Sequence, residues 1–296
     1  AIALPLAASP EGLPAVITIS LAFGVQRMLA VNVLVRRLPS VETLGSTTVI
    51  CTDKTGTLTC NKMTVCKLWS NNQEYTLNNN TIKLNGQPTS HQPLLPLLKI
   101  GVLCNNAELQ KTTSIGDPTE LALLISAKSA SLDLNHLIHK EPRIHEISFT
   151  SERKMMTTVH KTASGKIAYT KGSVEYLLKH CTHYLANGKR LPLTKQQHQS
   201  ILTQEKKFAQ QSLRVLGFAY RENIKDILNS KNQNNQNNIN TIETNLTFVG
   251  MQAMQDPLRE GVKQAIAQCH DAGIKVIMIT GDHLEIAKSI AAQLNI

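Results

Sequence analysis

The stretch VICTDKTGTLT, residues 49–59, decides the fold class of this chain. Residues 47–52 are apolar or β-branched without interruption, which predicts a strand buried on both faces of a sheet. Near the other end, a strand over 246–254, a helix over 259–272 and a strand over 274–280 follow one another. Strands that alternate with helices are typical of a parallel sheet covered on both faces.

Two of these strands end in residues that carry chemistry. The first runs into Asp53, and the last is followed by Gly281 and Asp282. Because ligands bind outside the carboxyl ends of parallel strands, we expect the two strand ends to converge. The material between them is then an inserted domain. Its predicted helices lie near 119–129, 174–181 and 195–212, and its predicted short strands lie at 144–148, 155–160, 165–170 and 213–220.

Two polar stretches of the inserted material differ in character. Residues 69–92 contain short alternating pieces and the turn signal Asn85-Gly86, which predict hairpins and loops. Residues 229–245 are rich in Asn and Gln. Such a composition cannot offset its ordering entropy, so we expect a mobile loop that buries nothing.

Composition excludes several classes of protein. Hydrophobic residues make up 42% of the 296 residues and charged residues 18%, which excludes a disordered chain, a collagen and a disulfide-dense mini-protein. The formal net charge is +10, and residues 69–245 hold 21 basic against 13 acidic residues. That balance favours an anionic partner such as a nucleotide or an acidic membrane face. Nucleic acid is disfavoured because aromatic residues make up only 4%.

Residues 1–25 carry one acid, Glu11, and no Lys or Arg. They are long enough to cross a bilayer, which takes about 20 apolar residues. Prolines at positions 5, 10 and 14 interrupt them, and a helix broken inside a membrane is tolerated where protein or a cavity satisfies the freed carbonyl groups. Glu11 at such a break is therefore a candidate ion ligand.

Asp53 stands where a nucleophile would be exposed at the end of a strand. A carboxylate there can attack a phosphoryl group and form an acyl phosphate. The hydroxyl groups of Thr55 and Thr57 and nearby backbone amides could hold the transferred oxygens. Asp53 could also ligate Mg²⁺, which would shield its charge from the incoming phosphate.

The residues DKTGTLT resemble the phosphorylation signature of P-type ATPases. In that family's order stand PEGLP at 10–14, KGS at 171–173, DPLR at 256–259 and TGD at 280–282. The resemblance implies an α/β fold: an incomplete haloacid-dehalogenase-like doubly wound parallel sheet, an inserted α+β nucleotide-binding domain and an N-terminal transmembrane helix segment. The implied domains are the transmembrane segment with PEGLP (1–30), the two parts of the phosphorylation domain (31–61 and 256–296) and the nucleotide-binding domain (62–255).

The resemblance also implies ATP and Mg²⁺ as ligands and assigns residues to them. Phe149, in FTSERKMM, resembles the Phe that stacks on adenine. The other implied nucleotide-binding residues are Glu120, Lys154, Lys171, Gly172, Arg214, Asp256 and Arg259. The implied catalytic residues are Asp53, Lys54, Thr55, Thr280, Gly281 and Asp282, of which Asp53 and Thr55 would hold Mg²⁺.

In type II pumps of this family the Glu of PEGLP ligates the transported cation, which assigns that role to Glu11. PEGLP followed by Ala-Val-Ile-Thr resembles calcium pumps most, and carboxylate and carbonyl oxygens suit Ca²⁺. The implied parent is a multi-pass integral protein of the lipid bilayer with cytoplasmic nucleotide and phosphorylation domains. Arg27, Arg36 and Arg37, just past the apolar span, agree with a cytoplasmic side.

Two other functions stay open. A soluble haloacid-dehalogenase-type phosphatase usually keeps a second acid two residues after the nucleophile, where Thr55 stands here, so this alternative is disfavoured. A nucleotide-binding fragment without transport is the second alternative. Because the chain stops within an apparent helix, we expect a fragment of a longer protein, and we expect the isolated chain not to turn over ATP.

Overall fold

The computed structural model describes residues 13–78, 81–110, 114–224, 241–282 and 284–296. Its helices are α1 (Leu13–Ala30), α2 (Pro39–Gly45), α3 (Leu95–Leu103), α4 (Pro118–Ser129), α5 (Leu134–Lys140), α6 (Val174–Lys179), α7 (Lys195–Gln210), α8 (Val262–Asp271) and α9 (Leu284–Leu294). Its strands are β1 (Val49–Asp53), β2 (Thr64–Ser70), β3 (Gln73–Asn78), β4 (Thr81–Leu84), β5 (Gln87–Pro88), β6 (Glu108–Leu109), β7 (Ser114–Ile115), β8 (Arg143–Ile147), β9 (Met155–Thr162), β10 (Gly165–Gly172), β11 (Cys181–Ala186), β12 (Lys189–Pro192), β13 (Arg214–Arg221), β14 (Leu246–Gln255) and β15 (Lys275–Ile279).

The chain forms two compact units. Of the described residues, those within 54–259 and 280–292 form the large unit, and those within 13–53, 260–279 and 293–296 form the small unit. The large unit is built on an 11-stranded sheet with the order β5-β4-β3-β2-β14-β13-β10-β9-β8. Neighbours along that path are antiparallel. The long strand β14 also pairs in parallel with β11, which carries β12 on its other edge.

Alternating side chains along these strands divide the core of the large unit between two faces. On one face Leu68 and Val249 belong to a cluster with apolar residues of α3 and α4. On the other face Trp69 and Phe248 belong to a cluster with residues of α6 and α7. The sheet is therefore covered by helices on both sides, although most of its strand pairs are antiparallel.

Local signals explain where the covering helices begin. Asp117 caps α4 by accepting a hydrogen bond from the amide of Thr119 at 2.8 Å, and Pro118 occupies the first turn. Thr194 caps α7 in the same way, accepting from the amide of Gln197 at 3.2 Å. The predicted helices near 119–129, 174–181 and 195–212 are confirmed as α4, α6 and α7.

The small unit contains a two-stranded parallel sheet. β1 and β15 pair in register from Val49 opposite Lys275 to Asp53 opposite Ile279. α8 packs beside β15, and it ends where Gly273 takes a left-handed φ of 74°. Among the described helices, α1 is long and apolar enough to cross a membrane, judged by length and composition.

Two expectations about strands were wrong. The strand over 246–254 does not continue the parallel sheet, because β14 lies in the antiparallel sheet of the large unit. The strand over 47–52 is not buried on both faces, since two strands alone leave β1 without a buried side chain. The described residues place two parallel strands in the small unit, so the wider doubly wound sheet stays a prediction.

The prediction that residues 229–245 bury nothing was wrong for two residues, Ile242 and Glu243. Ile242 is buried in a small cluster with Ile147, Val159 and other apolar residues, and Glu243 is buried beside it. The apolar contact of Ile242 and the paired charge of Glu243 offset the cost of ordering this segment. Residues 229–240 lie outside the described residues. So does Glu11, the predicted ion ligand.

Candidate functional site

A cavity of about 730 Å³ opens in the large unit where four segments of the chain meet. They are the start of α4, the loop between β8 and β9, the end of β10 and the start of β13. Six residues predicted to bind nucleotide line this cavity: Glu120, Phe149, Lys154, Lys171, Gly172 and Arg214. The volume lies within the range of small-molecule sites, about 300–1,000 Å³.

Phe149 presents an exposed aromatic ring to the cavity. The residue is 59% exposed, although large apolar side chains are normally buried. It lies in the loop over residues 148–154, between the end of β8 and the start of β9. An exposed ring face is suited to stacking on a flat heterocycle such as a purine.

Lys171 and Glu120 form an ion pair in the cavity wall. The Lys171 Nζ lies 2.5 Å from Glu120 Oε1, and both side chains are largely buried. The other carboxylate oxygen of Glu120 accepts a hydrogen bond from the backbone amide of Asn106 at 3.1 Å. The pair therefore offers an ammonium donor and a carboxylate acceptor in fixed positions to a ligand with a hydrogen-bonding edge.

β10 ends so close to the start of β9 that no side chain fits at Gly172. A Cβ there would lie 2.4 Å from the carbonyl oxygen of Lys154 and 2.9 Å from the Cα of Met155. Lys154 itself has a left-handed φ of 51°, which is costly for a residue other than glycine. Its ammonium lies 4.6 Å from the centre of the Tyr176 ring.

Arg214 is the first residue of β13, and its Nη1 donates to the hydroxyl of Thr119 at 2.9 Å. Burial raises the pKa of nearby Asp117. Hydrogen bonds from Thr119 and from the amide of Glu120, with the positive charge of Arg214, outweigh burial and leave the pKa below its usual value. The first turn of α4 and this guanidinium together provide donors for an anionic group such as a phosphate.

Glu146 belongs to a polar wall of the cavity that the sequence reasoning missed. Its carboxylate accepts from Asn106 Nδ2 at 3.1 Å, from the Ser148 hydroxyl at 2.9 Å and from Arg143 Nη1 at 2.8 Å. Burial raises the pKa of Glu146, but these hydrogen bonds and the charge of Arg143 outweigh it, so the pKa is lowered. The pattern of residues 144–148 predicted a strand, and it carried no signal for which polar side chains would face a cavity.

Asp256 and Arg259 do not line this cavity. Asp256 accepts a hydrogen bond from the Thr59 hydroxyl at 2.6 Å and from the Lys62 amide at 3.0 Å. Arg259 Nη2 donates to the carbonyl oxygen of Gly56 at 2.7 Å. Both side chains connect the segment that follows β14 to the segment that precedes β2. Their role in nucleotide binding stays a prediction.

Asp53 is the last residue of β1, and its partner across the sheet is Ile279, the last residue of β15. The predicted convergence of these two strand ends is confirmed. In the large unit, the buried Lys54 forms an ion pair with Asp282, whose amide donates to the Thr280 hydroxyl at 3.1 Å. Thr55 lies in the tight turn over Lys54–Leu58, and the backbone of Gly281 has open space around it.

The chain is similar to known proteins of one family. The family model described as "P-type ATPase, cytoplasmic domain N" matches residues 94–261, more than half of the chain. A calcium-transporting ATPase 1 of Bacillus cereus is 44% identical over 296 residues, which cover 100% of this chain and 32% of that protein. A calcium-transporting ATPase of Bacillus subtilis is 37% identical over 313 residues, covering 100% of this chain and 34% of the relative.

A potassium-transporting ATPase alpha chain 2 of Oryctolagus cuniculus is also 37% identical, over 309 residues, covering 100% of this chain and 28% of its own length. The chain belongs to the P-type ATPase family. It resembles the calcium-transporting members in particular, and it spans about a third of the length of the curated relatives it matches.

Proposed function

We propose that this chain is part of an ATP-driven cation pump in which Asp53 is phosphorylated and the transported ion is Ca²⁺. The observation that supports the proposal most is the gathering of six predicted nucleotide-binding residues around one cavity in a member of the P-type ATPase family. The names of the calcium-transporting relatives support the choice of ion.

In this proposal ATP binds in the cavity of the large unit. The adenine ring stacks on the exposed face of Phe149, and its amino group donates to the carboxylate of Glu120. Lys171, paired with that carboxylate, lies beside the ring and fixes its orientation. Arg214 contributes its positive charge to the phosphate chain, as a guanidinium suits phosphate oxygens.

The reaction that we propose is a direct phosphoryl transfer. A carboxylate oxygen of Asp53 attacks the γ-phosphorus of ATP, and an oxygen–phosphorus bond forms. The bond from the γ-phosphorus to the β,γ-bridging oxygen breaks, and ADP leaves with that electron pair, so no proton has to move. Hydroxyl and amide donors of Thr55, Thr280 and Gly281 would stabilise the oxygens of the transferred group.

Mg²⁺ fits the donor set at this strand end, since carboxylate and hydroxyl oxygens are the hard ligands that it prefers. Asp53 and Thr55 would hold it, and when bound it would neutralise charge on the phosphate oxygens. In the same proposal α1 crosses the bilayer, and Glu11 ligates the transported cation near its start.

Phosphorylation of the complete protein tests the proposal. With ATP labelled in its γ-phosphate and Ca²⁺ present, we expect an acid-stable phosphoprotein that Asp53→Ala abolishes. Asp271→Ala, which removes an exposed acid of α8, should keep the label and serves as the matched control. Label retained in Asp53→Ala would refute the nucleophile, and label that requires K⁺ and not Ca²⁺ would refute the choice of ion.

A further inference from the structure

The loop over residues 148–154, called here the Phe149 loop, is held from outside by a buried ion pair. Arg153 Nη1 donates to both carboxylate oxygens of Glu243, at 2.7 and 2.9 Å. The side chains of Arg153 and Glu243 are 18% and 2% exposed. The pair joins two positions that lie 90 residues apart in the chain.

The guanidinium of Arg153 also connects the two ends of the Phe149 loop. Arg153 Nη2 donates to the carbonyl oxygen of Ser148, the residue that precedes Phe149. The amide of Lys154 donates to the carbonyl oxygen of Thr150 at 2.8 Å. One arginine therefore connects both ends of the loop that carries Phe149 and Lys154 to a carboxylate beyond the loop.

Glu243 is itself fixed in place. Its Oε1 accepts a hydrogen bond from the hydroxyl of Thr157 on β9 at 2.7 Å, and this hydroxyl lies 3.0 Å from that of Thr170 on β10. Next along the chain, Arg221 Nη1 donates to the carbonyl oxygen of Thr244 at 3.0 Å. The carboxylate is thus anchored to the sheet before it meets Arg153.

We propose that Glu243 is a positioning residue of the nucleotide cavity, which acts through Arg153 to hold the Phe149 ring where a base can stack on it. The inference rests on the proposed binding of ATP in this cavity. A buried charge that loses its partner is strongly destabilising, so Arg153 and Glu243 stay paired. This pairing fixes the conformation of the Phe149 loop. Glu243 touches no nucleotide, and it acts through the loop alone.

Fluorine NMR of the 296-residue chain in detergent tests this. The chain has five phenylalanines, so 4-fluorophenylalanine labelling gives few signals, and Phe149→Leu assigns the one of interest. Without nucleotide, Glu243→Gln should shift or broaden the Phe149 signal while those of the buried Phe208 and Phe218 stay in place. The dissociation constant for ATP should rise about tenfold, as expected when base stacking is disturbed.

Two further variants separate positioning from stability. Glu141→Gln removes another buried carboxylate, paired with Lys99 at 2.6 Å, and should lower thermal stability without moving the Phe149 signal. The double variant Arg153→Met with Glu243→Gln leaves no unpaired charge, so it should recover stability relative to Glu243→Gln while its ATP affinity stays low. If Glu243→Gln fails to fold, this double variant replaces it in every measurement.

An unchanged Phe149 signal and an ATP dissociation constant within about twofold of wild type in Glu243→Gln would overturn the inference. Recovery of full ATP affinity in the double variant would also overturn it, since stability alone would then explain the loss. A wild-type Phe149 signal that ATP does not move would refute nucleotide binding in the cavity. The nucleotide-free spectra would still decide whether Glu243 positions Phe149.

Discussion

The large unit encloses apolar side chains in clusters of its own, whereas the described part of the small unit leaves most of its apolar side chains exposed. Phe218 and Leu123 of the large unit are fully buried between the sheet and its helices. In the small unit Val49, Ile277 and Ile279 are exposed, and Val276 and Ile266 are buried. Apolar burial is the main stabilising contribution to folding. The stability of the described chain is therefore concentrated in residues 54–259.

The same contrast applies to the two candidate sites. The cavity is lined by side chains that are held by ion pairs and hydrogen bonds within the large unit. Asp53 ends a strand that has one neighbour in its described sheet. Under the proposed function, nucleotide binding and phosphoryl transfer would therefore depend on parts of the chain with very different local stability.

The largest effect is expected from truncation in the large core. Phe218→Ala should lower the free energy of unfolding by about 3–5 kcal/mol, because it removes a fully buried ring and leaves a cavity. Val276→Ala in β15 should leave the same transition unchanged. Urea unfolding followed by the fluorescence of Trp69, the single tryptophan, reports on the large unit. Equal effects of the two substitutions would contradict the contrast.

A smaller effect is expected where the cavity is built on close backbone contact. Gly172→Ala should cost about 1–3 kcal/mol, since the new methyl group would overlap the backbone of Lys154 and Met155. The substitution should also weaken ATP binding, because the end of β10 and the start of β9 form part of the cavity wall. Gly45→Ala in α2 is the matched control, as open space surrounds its Cβ position. Calorimetry and ATP titration of both variants check this, and a neutral Gly172→Ala would contradict it.

The smallest effect concerns acid stability of the large unit. Burial raises the pKa of Glu74, but hydrogen bonds from Lys207, Lys67 and Gln204 outweigh it and lower the pKa to about 2. The folded-state pKa lies below the unfolded one, so this stabilisation is complete above pH 4.5 and is lost as the pH falls toward 2. Solvent screening limits it to about 1 kcal/mol.

Glu74→Gln should therefore reduce the loss in free energy of unfolding that occurs as the pH falls from 4.5 toward 2. Urea midpoints at pH 6 and pH 3, read at Trp69, should lie closer together in Glu74→Gln than in the wild type. A wild-type pH dependence that the substitution leaves untouched would assign acid sensitivity to other carboxylates.

Local sequence pattern predicted the helices α4, α6 and α7 of the large unit and its strands β8, β9, β10, β13 and β14. It missed α3, whose sequence LPLLKIGVL is apolar on nearly every side and is buried almost throughout. Such a helix has no polar face, so its spacing carries no helical signal. The partners of β14 were also missed, since pairing between distant strands is set by tertiary packing and not by local pattern.

Resemblance to the P-type ATPase family predicted six residues that line the cavity, because each stands in a short segment that looks like one of that family's segments. The ion pair of Arg153 with Glu243 was missed for the opposite reason. Glu243 follows an Asn-rich tract whose composition argues against burial, and its charge becomes acceptable only through a partner 90 residues away. Long-range electrostatic pairing of this kind leaves no mark in a single sequence.

The central position of β14 has a consequence for biosynthesis. β14 is the last strand of its sheet to leave the ribosome, yet it joins β2 to β13 and so connects the two antiparallel halves. The hydroxyl of Ser70 bonds the carbonyl oxygen of Val249 across a separation of 179 residues. Until β14 has been synthesised, the edge of β2 that pairs with it has no partner strand. The nascent chain therefore passes through a long interval in which it can aggregate or bind chaperones.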